Sequence, residues 1–522
     1  MKIVLTADET LTSTYRNLPL SDFLGCVPPQ RIPPILYRII DTQVPHKNGR
    51  LIFAPYSLRK VEAALLKKYR RDEVAVVHPK YVEKFIDENT KIVAVTAMDP
   101  LGLGPLTMMF TEGGRFPSYT KIKFTSLVDR INSYRERKNL DFKIVVGGSG
   151  AWQLKAKEYE MKKLKIDHLI IGETEHKIAE IFKDIEVEKA DEIILIRDQP
   201  SANEIPTIVG PSYKGMVEVM RGCGRGCKFC DPNIRKVRYY PIKKIIREIK
   251  VNKSAGQNNA WLHSEDIFSY MLEDKKEYNP NEEAVINLFK EVLKIVNYAN
   301  PTHANIASAL AAPRIIKEIA KLNNAGPNRW VGVQIGFETA SPSLLKKIAS
   351  NKAKPFNVDE WPQVLLNGTY LLNKYFWFPA YTSIVGLPGA TEEDEIYTAR
   401  LIITMRKVLR EKLGKKAHFV VVPLSFVPMG YLKDKEFFNI NEELTKGELL
   451  HIYHAWKQIL WEFRRGFKMV KKGLLATLIS PLIKLGLRFL LKGIEKWANE
   501  KGVDVNKPLD PINIKIERGM IN

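Results

Sequence analysis

Short β-branched segments alternate with helical segments over most of this chain. LIFAP, EVAVVHP, KIVAVTAMD, FKIVVGGSG and DHLII are each followed by a stretch with helical or loop character. Apolar strands without an alternating polar face are typical of a parallel sheet that helices cover on both sides. With a length of 522 residues, the pattern predicts an α/β protein of two or three domains.

The first domain is predicted to span residues 1–190 as a doubly wound parallel sheet. Residues 1–45 contain a Pro-rich patch and are expected to be irregular. Because ligands of such sheets bind at the carboxyl ends of the strands, the loops Asp99–Pro105, Gly147–Gly150 and Gly172–His176 are expected to line that edge.

The rest of the chain predicts three further segments. Residues 191–214 are rich in Pro, Asn and Ser and are interpreted as a linker. Residues 215–432 contain about six strand–helix units, which predicts a partial (βα)6 TIM-type barrel. Residues 433–522 predict a helical, amphipathic and basic C-terminal region.

The segment RGCGRGCKFCDP holds three of the four cysteines, Cys223, Cys227 and Cys230. Three thiolates can hold three corners of a [4Fe–4S] cluster, and the fourth iron is then open to a chelating small molecule such as S-adenosylmethionine (SAM). One alternative is a structural zinc site, which requires a fourth ligand. The others are a redox disulfide, which would leave Cys223 unexplained, and an electron-transfer cluster. Cys26 is interpreted as a buried apolar residue.

The residues around these cysteines suit an anionic cluster. Glycines alternate with other residues in the motif, so the backbone can wrap closely around an inorganic core. The basic residues Arg221, Arg225 and Lys228 are expected to offset the thiolate charge.

This motif, with Phe229 before the last cysteine and a preceding apolar strand, resembles the radical SAM superfamily. The segments AWLHSED, QIGFETAS, SIVGLPGATEED and PLSFVPMG follow in the order that the superfamily has. The resemblance implies that SAM is held at these positions: Ser264, Glu265 and Asp266 at its amino group, Gln334 and Glu338 beside it, and the backbone of Ile384–Gly386 at its adenine.

Several of these side chains have a second interpretation. Glu265 and Asp266 could cap a helix, and Glu338 could be a surface carboxylate. His263 and His303 follow strands that face the same cavity, where each could be a hydrogen-bonded pocket histidine or a proton-transfer group.

The first domain resembles the cobalamin-binding domain of one radical SAM class, because VAVTAMDP, IVVGGSG and LIIGETEH occur in order. No D-x-H-x-x-G segment supplies an axial histidine. The resemblance therefore implies cobalamin without that ligand, a domain that only shapes the substrate cavity, or a scaffold with no cofactor.

LTADETLTSTYRN, the cysteine motif and HSEDIF together resemble archaeal lipid-modifying members of this class, such as synthases of rings or cross-links in tetraether lipids. A membrane lipid is then the expected substrate, and the basic tail is expected to contact anionic headgroups. The residues predicted for that contact are Trp456, Trp461, Phe467, Leu474, Leu478, Phe489, Leu490, Arg464, Arg465, Lys471, Lys472, Lys484, Arg488 and Lys492. A helical cap packed on the barrel is the alternative.

The net charge of +22 favours anionic partners, which include lipid headgroups and nucleic acid. The predicted reaction is hydrogen abstraction from an unactivated sp3 carbon followed by C–C bond formation. Cobalamin-dependent methyl transfer and tRNA modification are the alternatives, and nucleic acid is disfavoured because no strand-rich tail is predicted. A small electron-donor protein and a cytoplasmic location, at the inner membrane face, complete the prediction.

Overall fold

The computed structural model describes residues 1–17, 21–465 and 474–517, together with Gly519. Its contacts divide the chain into two compact units. Unit one comprises Met1–Val217 and Lys243–Asn258, and unit two comprises Glu218–Ile242 and Asn259–Asn522. The domain limits derived from the sequence remain a prediction.

Unit one is built on a six-stranded parallel sheet with the order β4-β1-β5-β6-β7-β8, and β2 and β3 form a separate antiparallel pair. In chain order the strands are β1 (Ile3–Ala7), β2 (His46–Lys47), β3 (Arg50–Leu51), β4 (Val74–Val76), β5 (Ile92–Thr96), β6 (Lys143–Gly147), β7 (His168–Ile171) and β8 (Ile193–Leu195).

Both faces of this sheet are buried. Neighbouring residues of a strand enter different apolar cores: Val93 and Ile144 join one core, and Ile92 and Val145 join the other. The helices of this part of the chain are α1 (Pro34–Ile40), α2 (Tyr56–Leu65), α3 (Pro105–Phe110), α4 (Tyr119–Lys138), α5 (Ala151–Ala156), α6 (Glu158–Lys163), α7 (Ile178–Glu186) and α8 (Ile242–Ser254). The doubly wound α/β fold is confirmed.

Three local expectations for this unit were wrong. Residues 1–45 are not all irregular, because Ile3–Ala7 is strand β1, which pairs with β4 and β5 in the interior of the sheet. The strand expected at Leu51–Pro55 is reduced to Arg50–Leu51 in the small β2–β3 pair. Ile193–Leu195, within the predicted linker, pairs in parallel with β7 as strand β8.

Unit two carries the strands of the partial barrel and a separate antiparallel pair. In chain order the strands are β9 (Met216–Glu218), where the chain passes from unit one to unit two, β10 (Met220–Arg221), β11 (Arg238–Tyr239), β12 (Asn259–His263), β13 (Tyr298–Pro301), β14 (His303–Ala304), β15 (Val331–Glu338), β16 (Trp377–Val385) and β17 (Val420–Ser425). The separate pair is formed by β10 and β11.

The barrel strands form two sheets, β13-β12-β9 and β14-β15-β16-β17. Only Thr302 separates β13 from β14, and it continues the ladder on both sides. Its N–H donates to the carbonyl of Leu262 at 3.0 Å, and its carbonyl accepts from the N–H of Gln334 at 3.0 Å. Counting β13 and β14 as one bent strand gives six strands, as the sequence predicted for a partial barrel.

The helices of unit two are α9 (Glu282–Leu293), α10 (Ile306–Ala311), α11 (Pro313–Leu322), α12 (Pro342–Ala349), α13 (Trp361–Lys374), α14 (Glu392–Leu413), α15 (Lys446–Arg464) and α16 (Leu474–Glu500). Helix α15 is anchored by buried His451, whose ring nitrogens contact Ser383 Oγ at 2.7 Å and Glu395 Oε2 at 2.6 Å. No helix among the described residues is long and apolar enough to span a membrane.

The predicted membrane-contact residues are divided by this packing. Trp456 is buried, because α15 packs within unit two, so its assignment to a membrane-facing surface was wrong. Phe489 on α16 is 65% exposed. Phe467, Lys471 and Lys472 lie outside the described residues, as do the side chains of Leu474 and Leu478.

Candidate active site

The three clustered cysteines lie on a loop between β10 and β11. Gly222, Gly224 and Gly226 all have positive φ, between 76° and 84°, which only glycine adopts without strain. A Cβ at Gly222 would lie 2.7 Å from the carbonyl oxygen of Lys236, so the turn also needs the space. These glycines fold the eight-residue segment back on itself and bring the three thiols into one another's electrostatic range.

All four cysteines of the chain are free thiols. Burial raises the pKa of Cys223 to about 12, against the opposing charge of Arg225. Burial also raises the pKa of Cys227 and of Cys230, and for Cys230 the neighbouring thiolates add to the effect. Without a metal these thiols stay protonated, whereas metal ligation takes the thiolate form.

Arg225 fixes the cysteine loop to the barrel. Its Nη1 donates to the carbonyl of Asn351 at 2.8 Å, and its Nη2 donates to Ser308 Oγ at 2.6 Å and lies 3.5 Å from Asp266 Oδ2. The side chain is buried, so its charge acts on Cys223 and Cys227 with little screening. The expectation that Arg225 offsets the thiolates agrees with this placement, whereas Arg221 is held by Glu218 at 2.7 Å and Lys228 is exposed.

A second buried cation, Lys352, lies near the cysteines and was not found from the sequence. Its Nζ is 2.9 Å from Glu338 Oε1. Burial alone would lower the pKa of Lys352, but the charges of Glu338, Cys227 and Cys230 outweigh that effect and raise it. No motif marks this lysine, because it reaches the cysteines from the turn after α12.

Glu338, a predicted SAM ligand, therefore already has a partner. It follows a register shift in β15 and has φ of +59°, which aims its side chain at Lys352. It is 6% exposed, so the alternative of a surface carboxylate was wrong. Its role toward SAM remains a prediction.

The three predicted residues that follow β12, Ser264, Glu265 and Asp266, differ in their hydrogen-bond partners. Asp266 is enclosed: its carboxylate accepts from Ser269 Oγ at 2.7 Å, from the Asn305 N–H at 3.0 Å and from the Phe268 N–H at 3.2 Å, which makes it a helix cap. Ser264 Oγ and Glu265 Oε2 are buried and have no hydrogen-bond partner among the described residues. The unpaired atoms are thus on Ser264 and Glu265, and Asp266 is occupied by structural contacts.

Glu265 has the chemistry of a ligand for a cationic group. Burial raises its pKa, the charge of His263 lowers it, and a hydrogen bond from the backbone of Gly222 in the cysteine loop also lowers it. A buried carboxyl oxygen without a donor is costly, and an ammonium group would satisfy it.

The two histidines lie together beside these residues. Their rings are 5.9 Å apart, and both Nδ1 atoms contact Thr302 Oγ1, at 3.2 Å for His263 and 2.9 Å for His303. Burial and the charge of His263 lower the pKa of His303 to about 4, so His303 is neutral near pH 7. Both histidines are hydrogen-bonded pocket residues in this structure.

The remaining predicted residues lie on adjacent strands. Strand register pairs His303 with Gln334, and Glu338 with Ser383, the residue before Ile384. Gly386 has φ of +77°, and a Cβ there would overlap with the ring of Phe438. The structure brings these residues to neighbouring positions of the sheet, and their contacts with adenine remain predicted.

The donor set fits a cluster better than a single ion. Within the described residues, no three His, Cys, Asp or Glu side chains are arranged to hold one metal ion. A [4Fe–4S] cluster instead takes one thiolate at each of three separate irons, which Cys223, Cys227 and Cys230 would supply. The unpaired oxygens of Ser264 and Glu265 fit a SAM amino group.

Comparison with protein families favours one of the alternatives for this loop. The radical SAM superfamily matches residues 217–402, which include all three cysteines and the segments after them. This segment, which is less than half of the chain, is similar to a radical SAM domain. The cofactors that the match supports are a [4Fe–4S] cluster and SAM, ahead of zinc, a redox disulfide and simple electron transfer.

Curated relatives of this chain include a methylthiotransferase and a tRNA-modifying synthase. The ribosomal protein uS12 methylthiotransferase RimO of Ruegeria pomeroyi is 26% identical over 203 residues, which are 35% of this chain and 39% of the relative. A tRNA-2-methylthio-N(6)-dimethylallyladenosine synthase of Hydrogenobaculum sp. is 22% identical over 349 residues, 65% of this chain and 73% of the relative. The chain thus spans about two fifths of the first relative and about three quarters of the second.

A solved structure shares the fold over most of the chain. It is the radical SAM methyltransferase TsrM from Kitasatospora setae, determined with cobalamin and a [4Fe–4S] cluster bound, with a TM-score of 0.50 and 14% sequence identity. The likeness covers 83% of this chain and 77% of that one, so it includes residues of both units. At this identity it supports the α/β fold and nothing finer.

Proposed function

We propose that this chain is a radical SAM enzyme that abstracts hydrogen from an unactivated sp3 carbon. The observation that carries the proposal is the loop that brings the thiols of Cys223, Cys227 and Cys230 together, beside Glu265, which accepts a hydrogen bond from the backbone of Gly222 in that loop. Ser264 Oγ and Glu265 Oε2 have no partner among the described residues. Cys223, Cys227 and Cys230 would hold the cluster, and Ser264 and Glu265 would hold the amino group of SAM. With one electron, the two groups together would supply a 5′-deoxyadenosyl radical able to take one hydrogen atom from the substrate.

The chain's own residues prepare this chemistry. Glu265 and Ser264 hold the SAM amino group, and Gln334 and the backbone at Ile384–Gly386 orient the nucleoside. Arg225 and Lys352 place two buried positive charges near the thiolates, which favours electron entry. The electron comes from a small electron-donor protein.

The proposed product is a new C–C bond, a ring or a cross-link, in the isoprenoid chains of a membrane lipid. Saturated chains offer only strong C–H bonds, which suit a primary carbon radical. Two SAM molecules and two electrons are consumed for each bond, because each of two carbons loses one hydrogen atom before they join. The exposed Leu485 and Phe489 on α16 and the net charge of +22 support work at the inner, anionic face of a membrane.

Methyl transfer with cobalamin is the second candidate, and a specific observation favours it. In the sheet of unit one, β4 lies on one side of β1 and β5 lies on the other, so the strand order reverses direction at β1. Doubly wound sheets bind their ligands at such a switch point. The loops after β5, β6 and β7 follow the same edge. A Cβ at Gly148 would lie 2.5 Å from the carbonyl oxygen of Ala97, so the backbone turns closely there.

Modification of tRNA is a third candidate, since one relative is named as a tRNA-modifying synthase. An added β-barrel module would support it. In the part of the chain that the structure describes, no strand follows β17, and the C-terminal region is formed by α15 and α16 with an irregular end.

Mass spectrometry of lipids and nucleosides separates these candidates. Cells that express the native chain are compared with cells that express Cys227→Ala, and the reconstituted protein is assayed with SAM. A lipid lighter by two hydrogens per bond, together with 5′-deoxyadenosine, supports the C–C bond. S-adenosylhomocysteine and a substrate heavier by one CH₂ group support methyl transfer, and modified tRNA with unchanged lipids contradicts both.

A further inference from the structure

A cationic pocket lies between α14, α15 and α16 of unit two. Its volume is about 320 Å³, near the lower end for small-ligand sites. Five basic side chains and one carboxylate line it together with apolar Leu460, Trp461 and Leu491. The charged residues are Arg406, Lys457, Arg464, Arg488, Lys492 and Glu495.

None of the five cations of the pocket forms an ion pair with a described residue, although the charge of Glu462 acts on Arg406 and that of Glu495 acts on Lys457. Among the described residues, no carboxylate oxygen lies within the 4.0 Å of an ion pair from any of their nitrogens. Glu495, the only carboxylate among the described residues of the lining, accepts a hydrogen bond from the hydroxyl of Tyr453 at 2.9 Å. The pocket therefore holds a concentrated positive charge.

The inner wall of the pocket carries an unpaired donor. Arg406 Nε donates to Gln458 Oε1 at 2.8 Å, but Nη2 is buried and has no partner among the described residues. Burial lowers the pKa of Arg406 to about 10, and burial together with Arg406 lowers the pKa of Lys457. An anion at this place would satisfy the free guanidinium nitrogen and relieve the repulsion between the two cations.

The rim of the pocket joins an exposed apolar surface. Leu485, Arg488, Phe489 and Lys492 are spaced on α16 so that they share one face, and Leu485 and Phe489 are 48% and 65% exposed. Basic side chains that can bind an anion and exposed apolar side chains that can contact a hydrocarbon chain are thus adjacent on α16.

We propose that this pocket binds a phosphate ester group, with Arg406 and Lys457 at its base and Arg488 and Lys492 at its rim. Guanidinium groups recognise phosphate by paired hydrogen bonds, and lysines add point charge. The phosphate could belong to a lipid headgroup, whose chains would meet Leu485 and Phe489, or to a soluble ester. The inference is independent of the proposed reaction, because it concerns binding and not turnover.

Calorimetric titration of the anaerobically reconstituted full chain with glycerol 3-phosphate tests the site. The native chain is expected to bind it, and the double variant Arg488→Gln/Lys492→Gln to bind about tenfold more weakly, because two charged hydrogen-bond donors are lost. The matched control is Lys496→Gln/Lys501→Gln, which removes the same charge from positions that do not line the pocket. Arg406→Gln is a second test, with circular dichroism as the check on folding.

Vesicles then identify the source of the phosphate. If phosphatidylglycerol vesicles bind the native chain and glycerol 3-phosphate releases it, the site takes a lipid headgroup. If only the soluble ester binds, the site takes a soluble phosphate. If the native chain binds neither, or if the control weakens binding as much as the pocket variant, the proposal is wrong, and formation of 5′-deoxyadenosine is unaffected by that outcome.

Discussion

Lys352 is the residue whose charge most directly distinguishes this site from a bare cysteine loop. It is buried with Glu338, and its ammonium group acts on Cys227 and Cys230. A positive charge near an iron–sulfur cluster stabilises the reduced state, since reduction adds an electron. Lys352 is therefore expected to raise the reduction potential of the cluster.

Replacement of this lysine tests that expectation. Lys352→Met should lower the reduction potential of the cluster by on the order of 50–100 mV, the effect of removing one charge at moderate dielectric screening. The potential is read from an anaerobic redox titration followed by electron paramagnetic resonance. Lys346→Met, an exposed lysine on α12, is the control and should leave it unchanged. A potential that is the same in the native chain and in Lys352→Met would show that Lys352 does not tune the cluster.

Asp8 makes unit one sensitive to pH. It follows β1 and is 4% exposed, and burial raises its pKa from 3.8 to about 6, although hydrogen bonds from Thr10 oppose the shift. Between these two values the folded state keeps the proton and the unfolded state loses it. The contribution of Asp8 to stability therefore falls as the pH rises from about 4 to about 6.

Asp8→Asn should then stabilise the chain at pH 7, by about 2–3 kcal/mol of unfolding free energy, and have no such effect below pH 4. Denaturant unfolding at both pH values measures the difference. Asp141→Asn, which removes an exposed carboxyl group of the same unit, is the control variant. An equal effect of Asp8→Asn at both pH values would contradict the assignment.

At the scale of elements, the segment after β17 closes onto the cysteine loop. The N–H of Tyr431 donates to the carbonyl of Lys228 at 2.7 Å, and the N–H of Gly430 donates to Asp231 Oδ1 at 2.7 Å. Gly430 has φ of +60°, and a Cβ there would lie 2.7 Å from the carbonyl oxygen of Lys228 and 2.8 Å from the backbone nitrogen of Cys230. The last barrel strand thus helps to hold the loop in shape.

Gly430→Ala should therefore displace the cysteine loop and lower the iron bound per chain by about half or more, because the clash is with backbone atoms and the φ angle is strained. Iron and sulfide analysis after reconstitution measures it. Gly326→Ala, where nothing lies within 4 Å of the added Cβ, is the control. Equal iron content in Gly430→Ala and the control would show that the loop keeps its shape without this contact.

Elements with strong local patterns could be predicted from the sequence, and elements defined by distant contacts could not. Strand β5 (Ile92–Thr96) follows from apolar periodicity, and the cysteine loop follows from the spacing of its cysteines. Strand β1 was missed because its burial depends on pairing with β4 and β5, and the sequence at Ile3–Ala7 carries no flanking helical pattern.

The same distinction holds at the site. The cysteines were predicted because their spacing is local, whereas Lys352 is brought near them only by the fold of β15 and α12. The sequence also could not separate Ser264 and Glu265 from Asp266. Only the three-dimensional contacts show that Asp266 is enclosed by Ser269, Asn305 and other donors.

In the whole molecule, the two compact units contain different parts of the proposed chemistry. Unit two contains the cysteine loop, the partial barrel and the cationic pocket, and unit one contains the parallel sheet with its switch point at β1. The two leading functions therefore make different demands. The proposed C–C bond formation needs the cysteine loop of unit two, and the alternative of methyl transfer also needs a corrinoid.

The corrinoid content of the purified full chain distinguishes C–C bond formation from methyl transfer. If C–C bond formation is the reaction, chain purified from cells supplied with cobalamin should form 5′-deoxyadenosine at the same rate with and without bound corrinoid. The visible absorption spectrum and the nucleoside yield measure it. A 5′-deoxyadenosine yield that depends strictly on corrinoid would favour methyl transfer instead.

Reductive cleavage of SAM by the anaerobically reconstituted chain is the sharpest test of the proposed radical mechanism. We predict that the native chain binds iron and sulfide, that its electron paramagnetic resonance spectrum changes when SAM is added, and that 5′-deoxyadenosine and methionine form in equal amounts. Cys227→Ala should form neither product. A native chain that binds no iron and sulfide, or a Cys227→Ala chain that forms 5′-deoxyadenosine at the native rate, would contradict the account.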